Sequence, residues 1–305
     1  VNRLFLVFLI LSVLTADGLS QLSVKGIEEL DLDSSVEWNM PRFSPDGNSV
    51  FVTTTYFNGI WQYDLKTRAV LEITSDPGSG FGFSLSPDGR KVAYRRTFLD
   101  TAARSRVQEV VVRNLTDGTM TILESGPRIS TPHFIDEEVL YTADRDLRSS
   151  DEAIRTGVRV LGIERTKIAL VKDGVKVLLD PLGNGSYLWP SLSPDGRSMV
   201  AFDMSRGAFV CDLAGNVQAM LGRRSAPAWT RDGKWIVFMD DRDDGHRILS
   251  SDLYALRPDG SDVTRLTDDD SVIEMYPQCS SSDNLIVFNS LEGKVYLLRY
   301  EEGSR

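Results

Sequence analysis

The chain has 305 residues, 41% of them hydrophobic and 26% charged, with a formal net charge of −10. That is enough apolar material for a substantial core, and the acidic balance disfavours phosphate, so nucleic acid is excluded as a partner. With only two histidines, His133 and His246, and two cysteines, a histidine-rich metal site or a disulfide framework cannot be built.

At the amino end, one arginine precedes an apolar run from Leu4 to Leu14, followed by small residues Gly18 and Ser20. This pattern reads as a secretory signal peptide over residues 1–20, and it predicts a periplasmic or secreted protein. A single all-β domain is expected over 21–305.

Within that domain the turn Ser-Pro-Asp-Gly occurs at Ser44 to Gly47, Ser86 to Gly89 and Ser193 to Gly196, and Thr230-Arg231-Asp232-Gly233 is a relative. Proline presets φ, aspartate bonds its own backbone and glycine takes the positive φ that relinks two strands. Each copy is followed by a short apolar strand: Val50-Phe51-Val52, Val92-Ala93-Tyr94, Met199 to Phe202 and Trp235 to Phe238. Two worn copies are Phe134-Ile135-Asp136 and Cys279 to Asn284. The unit is four antiparallel strands in roughly 40 residues, the size of one propeller blade. If the interval from Gly89 to Gly196 holds two units, there are six.

Pro41, Pro132, Pro190, Pro227 and Pro277 recur just ahead of these turns. Proline removes a ladder donor, which suits the edge strand lining a propeller's channel. The segment Ile27 to Asp33 parallels Val70 to Asp76, the fourth strand of the first unit. The last unit lacks its own fourth strand, so the amino-terminal strand is expected to complete it. The predicted fold is a six-bladed β-propeller of four-stranded antiparallel blades, closed in that way.

The fifth unit, with Phe238 to Gly245, Asp252-Leu253-Tyr254, Pro258-Asp259-Gly260-Ser261 and Thr264 to Thr267, resembles the repeat of TolB-type β-propellers. The resemblance covers the propeller and not TolB's α/β domain. It implies a fold, and the same repeat occurs in propellers attached to serine peptidases and in some polysaccharide lyases.

Turns joining first to second and third to fourth strands are short. The other connections, including Thr54 to Gly59, Ser75 to Phe81, Thr97 to Arg106, Asp144 to Gly157, Asp240 to Ser251 and Asp268 to Met275, read as long irregular loops. Long loops on a rigid scaffold are where recognition resides. The expected binding surface is therefore this rim and the channel mouth, with candidates Trp38, Tyr56, Phe57, Phe81, His133, Tyr187, Trp189, Asp241, Arg242, Asp243, His246 and Tyr276. Trp189 and Tyr276 read equally well as packing between blades.

No Gly-x-Ser-x-Gly elbow is present, so a serine hydrolase is excluded. Asp240 to Gly245 fails as an EF-hand loop, because Arg242 and Ser251 fall where oxygen donors belong. No cofactor is expected beyond a calcium ion in the channel as an alternative. Cys211 and Cys279 fall in separate blades and read as buried thiols. The expected function is a non-enzymatic, monomeric, exported scaffold that binds an envelope protein or peptide and meets the membrane only through partners. The alternative is a polysaccharide-binding or lyase-type propeller.

Overall fold

The structure is a computed structural model that describes residues 20–102, 104–150 and 158–304. The expected signal peptide falls almost wholly on residues 1–19, outside the described residues.

Strand β1 (Ser20–Glu29) is followed by seven sheets in chain order. Blade 1 holds β2 (Trp38–Phe43), β3 (Ser49–Thr54), β4 (Ile60–Asp64) and β5 (Val70–Thr74). Blade 2 holds β6 (Ser84–Leu85), β7 (Lys91–Asp100), β8 (Ser105–Asn114) and β9 (Met120–Gly126). Among the described residues, blade 3 has only β10 (His133–Ile135), β11 (Glu138–Ala143) and β12 (Asp146–Ser149), and blade 4 only β13 (Val158–Glu164), β14 (Lys167–Lys172) and β15 (Val175–Leu179). Blade 5 holds β16 (Tyr187–Leu192), β17 (Ser198–Asp203), β18 (Gly207–Asp212) and β19 (Val217–Gly222). Blade 6 holds β20 (Ser225–Trp229), β21 (Ile236–Asp243), β22 (Ile248–Leu256) and β23 (Thr264–Arg265). Blade 7 combines β24 (Glu274–Cys279), β25 (Leu285–Ser290) and β26 (Val295–Ser304) with β1 as its outer strand.

The expectation of six four-stranded blades is thus corrected to seven, two of them three-stranded. The interval from Gly89 to Gly196 contains blades 3 and 4: blade 3 opens on the worn copy at Phe134 to Asp136, and blade 4 carries no copy of the turn, which is why a count of turns misses it. Three strands per sheet also change direction. The β13–β14 turn at Arg165 and Thr166 lies beside the start of β16, where Thr166 O accepts the Tyr187 amide at 3.0 Å. It also shares a cleft with Arg128 and Arg145 at the other connections of that rim. β13 therefore runs opposite to β16 and the other innermost strands.

Closure by the amino-terminal strand is observed directly. β1 pairs antiparallel with β26, Ile27 opposite Leu298 and Glu29 opposite Tyr296, and the Leu30 amide donates to Val295 O at 2.8 Å. The edge of β26 is thereby covered, which removes a template for aggregation.

The turn motif explains itself at atomic level. The Ser44 hydroxyl donates to Asp46 at 2.6 Å and accepts the Ser49 amide at 3.0 Å, while Gly47 takes φ of 73°. Ser86, Ser193 and Thr230 repeat the arrangement. These hydroxyls are buried, so each turn is held by internal hydrogen bonds that water cannot replace.

Between blades, apolar side chains interdigitate: Phe51 with Phe83 and Tyr94 between blades 1 and 2, Val200 and Val210 with Trp229 and Phe238 between 5 and 6, and Met239 with Ile286 and Phe288 between 6 and 7. At about 1.5–3 kcal/mol for each fully buried large side chain, these seams dominate the stability of the ring.

Three segments expected as irregular loops contain strand: Asp144 to Gly157 holds β12, and the other two are strand extensions. β7 and β8 stay paired out to Asp100 opposite Ser105, and β21 and β22 out to Asp243 opposite Ile248, so stiff hairpins project from the rim.

Candidate ligand channel

The innermost strands β2, β16, β20 and β24 share an irregularity. Their register shifts between Asn39 and Arg42, Leu188 and Ser191, Ser225 and Ala228, and Met275 and Gln278. At each shift a proline follows a residue of positive φ: Met40 at 48°, Trp189 at 48°, Ala226 at 48° and Tyr276 at 52°. A bulge leaves one residue out of the ladder, so the proline's missing donor costs nothing there. Positive φ in non-glycine residues is strained, and the bulge re-aims side chains.

The four bulges converge on the axis. They line a cavity of about 200 Å³ with Met40, Pro41 and Arg42 from blade 1, Trp189, Pro190 and Ser191 from blade 5, Ala226, Pro227 and Ala228 from blade 6, and Tyr276, Pro277 and Gln278 from blade 7. Trp189 packs on Phe202 at 5.5 Å and lies 6.4 Å from Tyr276. Burial raises the Tyr276 phenol above its ordinary pKa, and the nearby Asp241 charge adds to this.

Among the described residues, Arg42 is the one charged residue of this lining. Its Nη1 donates to Phe83 O at 2.9 Å, and its guanidinium lies 5.3 Å from the Phe83 ring. Burial lowers its pKa. Gln278 accepts the Phe43 amide at 2.9 Å through Oε1, and its amide NH2 has no acceptor among the described residues. His133 is nearby, its pKa pushed down to about 4 by burial and then by the Arg42 charge, so it is neutral at physiological pH.

The sequence candidates separate into three groups. Trp189, Tyr276 and His133 belong to the channel. Trp38 and Tyr187 are core residues: Trp38 is 5% exposed, donates from Nε1 to Asp33 O and meets Trp61 edge-on, and Tyr187 is 1% exposed and donates to Asp180 at 2.7 Å. The remainder lie on the rim in two separate places. Phe57 meets Phe81 edge to face at 5.2 Å, with Arg95 5.8 Å from Phe81 and Tyr56 exposed beside them. Asp241, Arg242, Asp243 and His246 belong to the β21–β22 hairpin, where the last three are exposed.

Arg42, Met40, Ala226 and Gln278 were missed by the sequence reading. The periodic prolines were the signal: Pro41, Pro190, Pro227 and Pro277 each mark a bulge that turns its neighbours toward the axis, and Pro132, ahead of β10, does not. Among the described residues, no three His, Cys, Asp or Glu side chains come together as metal ligands.

No protein-family model matches the chain. Over 115 residues it is 30% identical to the uncharacterized protein Atu1656 of Agrobacterium fabrum, a stretch covering 35% of this chain and 37% of that protein. Among solved structures, the Cps50 (Swd1) β-propeller domain of Myceliophteria thermophila superposes with a TM-score of 0.63 at 10% identity, over 91% of this chain and 99% of that one. An oligogalacturonate lyase in complex with manganese gives 0.50 at 16% identity, over 86% and 76%. TolB from Acinetobacter baumannii gives 0.49 at 18% identity, over 78% and 56%. The class is that of the β-propellers, and at these identities the likeness is one of fold alone.

Proposed function

We propose that this propeller is a non-enzymatic scaffold, exported to the cell envelope, that binds a protein or peptide on its long-loop rim and in the channel mouth. The observation that carries the reading is the convergence of four strained proline bulges on an axial cavity with Trp189 and Tyr276 in its wall. Rigid aromatic side chains beside an arginine have the composition of interface hot spots. The stiff β7–β8 and β21–β22 hairpins supply a raised border. Export rests on the apolar segment Leu4 to Leu14 and its flanks.

Capture of partners from envelope extract tests this. A partner retained by the wild type and lost with Trp189→Ala or Tyr276→Ala is expected. Capture that survives both substitutions and fails instead on altering the outer-strand residues Val70 and Leu71 would contradict it. Trp38→Ala is unsuited to the purpose, because Trp38 supports the seam between blades 7 and 1.

A further inference from the structure

We propose that the axial cavity is a carboxylate site, in which Arg42 and the Gln278 amide hold the free carboxyl terminus of a partner chain whose last side chain rests against Trp189 and Tyr276. This deepens the peptide-binding reading and rests on it for the identity of the occupant.

Three observations carry the inference. First, the cavity offers donors out of balance with acceptors. Arg42 spends one of its five N–H groups on Phe83 O, and among the described residues it has no carboxylate partner. Gln278 has its carbonyl committed to the Phe43 amide and its NH2 without an acceptor among the described residues. A largely buried guanidinium without a counter-charge is costly, and an incoming anion removes that cost. Secondly, the charge is a single one. A carboxylate is neutralised one for one and matches the planar fork of arginine, whereas a phosphate dianion would keep an uncompensated charge away from bulk water. Thirdly, the size is right for a chain end. At about 200 Å³ the cavity is several times the ~30 Å³ share of a water molecule, enough for a terminal residue and too small for a folded segment.

The arrangement is rigid before any ligand arrives. Trp189 and Tyr276 are set by their bulges, and Arg42 is pinned through Phe83 of the neighbouring blade. A preorganised site loses little entropy on binding.

The test uses the full chain and two probes that differ in one group, N-acetyl-phenylalanine and its neutral amide, with tryptophan fluorescence and calorimetry as readouts. The acid is expected to bind the wild type more tightly than the amide by roughly tenfold or more, the scale of charge-assisted hydrogen bonds. Arg42→Gln should abolish the preference, bringing the acid's affinity to that of the amide, and Arg42→Lys should keep part of it. Gln278→Leu provides an independent reduction should the Arg42 variants fold poorly, with circular dichroism reporting the fold of each.

Equal affinity for acid and amide, or an undiminished preference in folded Arg42→Gln, would overturn the proposal. Inorganic phosphate binding more tightly than the acid would overturn the choice of carboxylate. Galacturonic acid displacing N-acetyl-phenylalanine at lower concentration would overturn the chain-end occupant. A captured partner that survives Arg42→Gln would refute this inference and leave the peptide reading standing. A preference for the acid with no captured partner would do the reverse.

Discussion

Replacing Glu274 by glutamine should make the protein more stable in alkaline solution and leave it unchanged in acid. Glu274 opens β24 opposite Ser290, is 2% exposed, and its Oε2 has no hydrogen-bond partner. Burial pushes its pKa from an ordinary 4.5 up to about 7, a hydrogen bond with Thr267 opposes the shift, and the charges of Asp252 and Asp269 reinforce it. The folded state therefore holds the proton more tightly than the unfolded chain. The stability this confers is complete below about pH 4.5 and is lost as pH rises towards 7. The gap between the two values corresponds to at most about 3 kcal/mol, a large share of a typical domain's stability. Glutamine reproduces the protonated group and cannot ionise. In urea denaturation, Glu274→Gln should exceed the wild type by up to about 3 kcal/mol near pH 8.5 and match it near pH 4.5. A variant less stable than the wild type at the alkaline end would show that the ionised carboxylate is stabilising, and would refute the reasoning.

Other outcomes follow from the same geometry. His133 has a folded pKa depressed to about 4, so its contribution is fully present above pH 6.5 and is lost as pH falls towards 4. His133→Gln should flatten that acid limb in thermal melts, and a steeper limb would contradict the assignment. Thr166 holds φ of 65° in the turn between β13 and β14, so Thr166→Gly should raise stability by about 1 kcal/mol in urea. Leu22, on β1, packs into the seam between blades 6 and 7, and Leu22→Ala should cost about 2–5 kcal/mol in the same assay. A near-neutral result would mean that the closing strand contributes little.

Fold class and ring closure were legible in the residues. Ser-Pro-Asp-Gly followed by an apolar strand marks the start of a blade, and the likeness of Ile27 to Asp33 to Val70 to Asp76 revealed the strand that completes blade 7. Blade number was not legible, because blade 3 carries only the worn turn at Phe134 to Asp136, blade 4 carries none, and among the described residues each has one strand fewer than the rest. Tertiary pairing alone separates β12 from β13 there. At the site, Trp189 and Tyr276 stood out as aromatic residues beside recurrent prolines. Arg42 follows Pro41 as an ordinary charged residue would on a solvated strand, and nothing local announces that the bulge turns it into the axis. Trp38 and Tyr187 look like surface aromatics in the one-dimensional pattern, yet their rings are buried and their polar ends reach Asp33 O and Asp180 at the surface.

The central claim is that ligands enter the axis. Trp189 is one of five tryptophans, and Trp235 lies fully buried in the seam between blades 6 and 7, away from the cavity. Fluorine NMR of protein labelled with 5-fluorotryptophan, its Trp189 signal assigned by Trp189→Phe, reads the two places separately. Addition of the captured partner should shift the Trp189 resonance and leave Trp235 in place. A bound partner that leaves Trp189 unmoved would contradict the account.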